Sequence, residues 1–140
     1  MMAVLMVLLA APSAADLASI KAEPNLERRA GRLTAYADRR VDGLRKLYRE
    51  AKWEEVQTAL SEVAEACELA ARSLFDTGKN PSRSPKHFKR AELAMRGLIR
   101  RLDTFGQEVS FEERPAVGKT RERVHHVHRE LLDGIMGIKR

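Results

Sequence analysis

The chain opens with an uncharged apolar run, Met1 to Ala11, which Pro12 breaks and Ser13-Ala14-Ala15 follows. Beyond it, polar sequence is threaded by four stripes of apolar residues spaced three and four apart. That period places side chains on one face of a helix. The first stripe is Leu26, Ala30, Leu33, Ala37, Val41, Leu44, Tyr48 and Ala51, with Asn25 placed as an N-cap. The second is Trp53, Val56, Leu60, Val63, Cys67, Ala70 and Leu74. It alternates three and four without a break, as in the seam of a helix packed in coiled-coil fashion. Gly78 then suits a C-cap, and Asn80-Pro81 cannot continue a helix. The third stripe is Phe88, Ala91, Met95, Leu98, Leu102, Phe105 and Val109, behind Ser84 as N-cap and Pro85 as first helical residue. Ser110 and Glu113 have capping-box spacing. The fourth stripe follows them: Val117, Thr120, Val124, Val127, Leu131, Ile135 and Ile138, weakened at its end by Gly134 and Gly137.

A helix with one narrow apolar stripe cannot bury it alone, and short connections favour antiparallel neighbours. The pattern therefore predicts an all-α fold, an antiparallel up-down-up-down four-helix bundle over residues 25–140. Its least marked connection lies between Tyr48 and Trp53, where there is neither Gly nor Pro. Either a tight turn at Glu50–Lys52 shifts the stripe, or one long helix runs from Asn25 to Thr77. The turn is the preferred reading, with Tyr48 and Trp53 closing the hairpin. Leu44 to Ala70 resembles a single tetratricopeptide hairpin. It lacks the turn glycine and does not recur at a fixed period, so the resemblance implies a helical hairpin and no family.

The N-terminal run covers about three helical turns, whereas a bilayer core takes roughly 20 residues of helix. With Ser13 and Ala15 as small residues before a cut at Ala15/Asp16, residues 1–15 read as a secretory signal peptide, although no Lys or Arg precedes the run. The competing reading is an apolar helix packed on the domain. The signal-peptide reading predicts a periplasmic or secreted protein with no transmembrane span in its mature part. Residues 16–24 show no period and read as a flexible lead-in. Cys67 is the single cysteine, so no intramolecular disulfide framework is expected and packing must hold the fold.

Charge changes this picture by its placement. The net charge is +6. Lys79, Arg83, Lys86, Lys89, Arg90, Arg96, Arg100 and Arg101 face Glu92 alone between Lys79 and Arg101. The first stripe's helix is also basic, and the second's is acidic through Glu54, Glu55, Glu62, Glu65 and Glu68. One reading is charge pairing between neighbouring helices. The other is a surface for an anionic partner at Lys79, Arg83, Lys86, Lys89 and Arg90, where a loop meets a helix N-terminus. For an exported chain that partner is a protein or an anionic component of the cell envelope. Nucleic acid is disfavoured. Aromatic residues are 5% of the chain and are not interleaved with the basic ones, and no DNA- or RNA-binding motif occurs. A cytoplasmic, basic nucleic-acid-binding bundle becomes the reading if the leader is not a signal.

One cluster has ligand chemistry. Glu122, His125 and His128 are three apart and share an edge of the fourth helix. Glu122-x-x-His125 has the spacing used in ferritin-like di-metal bundles, but no second Glu-x-x-His occurs. A mononuclear metal site completed by a carboxylate from a neighbouring helix is the alternative function this cluster suggests. Cys67 sits inside an apolar stripe and reads as a small buried hydrophobe. No serine has a nucleophile-elbow context, and Gly118-Lys119-Thr120 lacks the upstream glycine of a P-loop. The expectation is a non-enzymatic binding protein without a cofactor, with self-association through the strict seams open to it.

Overall fold

The computed structural model describes residues 14–138. Five helices follow one another: α1 (Ala14–Lys21), α2 (Leu26–Arg49), α3 (Trp53–Phe75), α4 (Lys86–Glu108) and α5 (Arg114–Met136). The described chain is an all-helical bundle built on the four long ones. Their stripes form its core: Leu33, Leu44, Val56, Val63, Cys67, Leu74, Met95, Leu98, Leu102, Val124 and Leu131 are fully buried. Each large aliphatic side chain removed from water in this way contributes about 1.5–3 kcal/mol.

The turn between α2 and α3 falls at Glu50–Lys52, as the tighter reading expects. Its chemistry is unusual. Ala51 N–H donates to Tyr48 O, and Lys52 N–H donates to Leu47 O. These two bonds close a Schellman motif around Ala51, whose φ is 57°. A left-handed residue with a β-carbon therefore stands where most helix ends use glycine. The end of α5 shows the ordinary form, with Gly137 at φ 70° and Ile138 N–H donating to Asp133 O.

The helices pair in a way the stripes do not specify. α2 packs on α3 and on α4, and α5 packs on α4 and on α3, while α3 and α4 share a thin contact. Cross-links fix the directions. Glu27 meets Lys79 and His87 near the start of α2, and Arg45 meets Glu108 near its end, so α2 and α4 run side by side in the same sense. Thr120 Oγ donates to Leu60 O at 3.3 Å, and Arg123 Nε donates to Glu68 at 2.8 Å, so α3 and α5 do likewise. The connection 76–85 crosses the end of the bundle between the two hairpins.

Three local expectations differ from the structure. Residues 16–24, expected as a flexible lead-in, begin inside α1, and Leu17 and Ile20 lie in the core. Two apolar residues three apart are enough to dock this eight-residue helix but too few to make a period. α4 begins at Lys86 with Pro85 as its N-cap and no side-chain cap, so Ser84 does not cap it. α5 begins at Arg114 with Glu113 at the N-cap. Ser110 there accepts the Glu113 N–H through its carbonyl and not its side chain. Residues 1–13 of the expected signal peptide lie outside the described residues, and the expected cut at Ala15/Asp16 falls within the first turn of α1. No helix among these is long and apolar enough to cross a membrane.

Candidate functional site

The structure sorts the cations by whether a carboxylate already holds them. Acid groups of α3 serve three different helices: Glu65 takes Lys21 of α1 at 2.6 Å, Glu62 takes Arg40 of α2 at 3.1 Å, and Glu68 takes Arg123 of α5. None of these pairs reaches α4, whose cations turn elsewhere. Arg101 lies between Asp38 and Asp42 of α2, and Arg96 folds back on Glu92 of its own helix. Pairing between helices thus accounts for much of the charge segregation.

It does not account for all of it. Of the five residues expected to hold an anionic partner, Lys79 is taken: its ammonium pairs with Glu27, which also receives His87. Lys79 beside it, with His87, holds the Glu27 carboxyl below the usual carboxylate range. Arg83, Lys86, Lys89 and Arg90 are exposed and form no ion pair within the described chain. They follow from the local fold. Phe88 and Ala91 turn into the core, so 86, 89 and 90 must lie on the outer face of α4. The next position on that face is Leu93, 58% exposed, and Arg100 lies two turns beyond it.

The start of α4 strengthens the positive field. It has no acidic residue in its first turn and no side-chain cap, whereas α3 opens on Glu54 and Glu55. Its first-turn N–H groups and the positive end of its dipole add to Lys86, Lys89 and Arg90. Glu27 and His87, which the sequence pattern does not single out, bound this surface on the α2 side. The signal for Glu27 is long-range: nothing local to residue 27 places it against residues 79 and 87.

The histidine cluster is arranged differently from the metal reading. Glu122 is exposed and takes Arg121 at 3.3 Å. The His125 and His128 rings lie 6.5 Å apart, centre to centre. His128 Nε2 stands 2.9 Å from Oε1 of Glu92, a buried carboxylate on α4 that also receives Arg96. Burial works to raise the Glu92 pKa, but the bonds to His128 and Arg96 outweigh it and hold the carboxyl below the usual range. His126 pairs with Glu130 at 2.8 Å on the surface. Among the described residues no three His, Cys, Asp or Glu side chains come together as a metal ion requires. Glu122, His125 and His128 are therefore not assembled as a ligand set, and His128 acts as a clasp between α4 and α5.

Cys67 is fully buried in α3, and burial pushes its thiol up to about 12. A groove of about 440 Å³ runs between α2 and α3, lined among others by Arg39, Lys46, Lys52, Glu50 and Glu55. Its charges are mixed, and Lys52 is paired with Glu50.

Comparison with protein-family models, with curated proteins and with solved structures gave no match to this chain. Function must be read from its side chains alone.

Proposed function

We propose that this protein is an exported helical bundle, its four long helices running alternately up and down, that binds an anionic partner without catalysing a reaction. The partner is a protein surface or an anionic component of the cell envelope, and the binding surface is the outer face at the start of α4. One observation carries this reading. After carboxylates of α2 have engaged Lys79 and Arg101, and Glu92 of the same helix has engaged Arg96, the cations Arg83, Lys86, Lys89 and Arg90 stay exposed, with no ion pair among the described residues, beside an uncapped helix start. Exposed like charges repel one another, so a cluster of this kind adds nothing to stability and is matched by an external anion. The apolar N-terminal run supports export, to a compartment in which anionic envelope components occur.

The test is binding to inorganic polyphosphate as a soluble polyanion, across a range of salt. Binding should weaken as salt rises, because exposed charges are screened. Changing Lys86, Lys89 and Arg90 together to Glu should weaken it by about tenfold or more, at roughly 1 kcal/mol for each basic residue near an anionic surface. All three side chains are exposed, so the variant should keep its fold. Equal binding by the variant contradicts the reading.

A further inference from the structure

Three of the large apolar side chains exposed on this protein gather at one end of the bundle. Phe75 ends α3 at 38% exposure, and Met136 and Ile138, at 63% and 44%, stand at the close of α5. The backbone brings them together. A β-carbon on Gly134 would lie 3.2 Å from Pro81 Cγ and 3.6 Å from Phe75 Cε1, and one on Gly137 would lie 4.0 Å from Ser82 Cβ. The last turn of α5 thus rests on the 76–85 connection and on the end of α3. Phe75 in turn leans on Phe88 of α4, ring centres 5.6 Å apart, so its outer edge is held and not collapsed inward.

The same end carries cations that form no ion pair among the described residues. Arg83 lies in the connection and Lys86 opens α4, both exposed. Of the nearby carboxylates, Glu27 is held by Lys79 and His87, Asp133 is half-buried, and Asp76 is exposed. The sequence after Ile138 continues with Lys139 and Arg140. Exposed Met136, Ile138 and Phe75 share this pole with exposed Arg83 and Lys86, so the surface offers both apolar and cationic groups. Apolar side chains suit the boundary between headgroups and acyl chains, and cations suit lipid phosphates. A bilayer surface satisfies both at once, its phosphates taking the cations and its acyl boundary taking the Met136, Ile138 and Phe75 edges.

We infer that this pole of the bundle docks on the surface of an anionic lipid bilayer, with Met136, Ile138 and the edge of Phe75 entering the interface and Arg83 and Lys86 meeting lipid phosphates. The inference rests on the anionic-partner reading above and specifies its partner. It concerns peripheral contact, since no described helix is able to span.

The experiment compares the full chain with the double variant Met136→Ser/Ile138→Ser and with Arg83→Glu/Lys86→Glu. Each is measured for co-sedimentation with phosphatidylglycerol-containing vesicles, with pure phosphatidylcholine vesicles, and for binding to polyphosphate. All three proteins share one N-terminus, so differences between them belong to the bundle pole. The full chain should bind the anionic vesicles and bind the neutral ones weakly. The Met136/Ile138 variant should lose about tenfold in vesicle binding, for two partly inserted side chains, while polyphosphate binding is unchanged. The charge variant should lose both. Vesicle binding by the Met136/Ile138 variant equal to that of the full chain overturns the inference. So does polyphosphate binding without vesicle binding, and in either case the basic surface survives. Binding to neither probe removes the anionic-partner reading itself, and the inference with it.

Discussion

The Tyr48 hydroxyl accepts a hydrogen bond from the Ser110 N–H at 3.0 Å. It ties the end of α2 to the connection between α4 and α5, and so links the two hairpins at the pole opposite the 76–85 crossing. The Tyr48 ring stands edge-on to Trp53 at 6.2 Å and to Phe105 at 6.0 Å, so packing fixes where its oxygen lies. Tyr48→Phe keeps those rings and leaves the Ser110 N–H without its acceptor. It should cost about 1–2 kcal/mol. Urea denaturation should show a lower midpoint at an unchanged slope.

Ala51 predicts a change in the other direction. Its left-handed backbone is needed for the two bonds that end α2, yet its β-carbon strains that conformation by about 1 kcal/mol. Ala51→Gly should therefore stabilise the protein by about that amount, against the usual loss on introducing glycine. A melting temperature that falls in Ala51→Gly would contradict the assignment of the turn.

Glu92 makes the acid limb of stability specific. It is 4% exposed, joins α4 to α5 through His128, and has its pKa held below the usual range. A carboxylate with a depressed folded pKa stabilises the fold above its unfolded value of about 4.3, and loses that contribution as pH falls through the folded value. Glu92→Gln should lower stability near neutral pH by about 2 kcal/mol. It should also flatten the fall in stability below about pH 4. Equilibrium unfolding at a series of pH values checks both, and a variant whose acid limb is as steep as the parent's removes Glu92 from that role.

Cys67 should be inert in the folded protein. A buried thiol with its pKa at about 12 presents almost no thiolate at neutral pH. Iodoacetamide should modify it only in denaturant, and labelling at the rate of a free thiol under native conditions would contradict its burial.

Much of the fold is legible in the residue pattern. All seven residues of the third stripe are buried, and the second stripe is buried from Val56 to Leu74. Period identifies these because apolar side chains at three and four apart have one face to share. The pattern is silent where the information is not periodic. Ala59, Ala64, Ala66 and Ala71 of α3 are buried off the stripe, because α3 is packed by α2 on one side and α5 on another. Small side chains there admit close neighbours without announcing a face. Leu17 and Ile20 are too few to show a period. The site divides in the same way. Lys86, Lys89 and Arg90 are visible as a basic run, but the pairing of Glu27 with Lys79 joins residues far apart in sequence. His128 looks like a surface ligand until the buried Glu92 is set opposite it. Such pairings depend on which helices are neighbours, and connection length alone does not determine that.

The central claim is that this bundle works outside the cytoplasm on an anionic partner, and the identity of its first residue tests that most directly. Mass spectrometry of the protein from fractionated cells should find a chain beginning at Asp16 in the exported fraction. An intact chain beginning at Met1 and held in the cytoplasm would contradict the account.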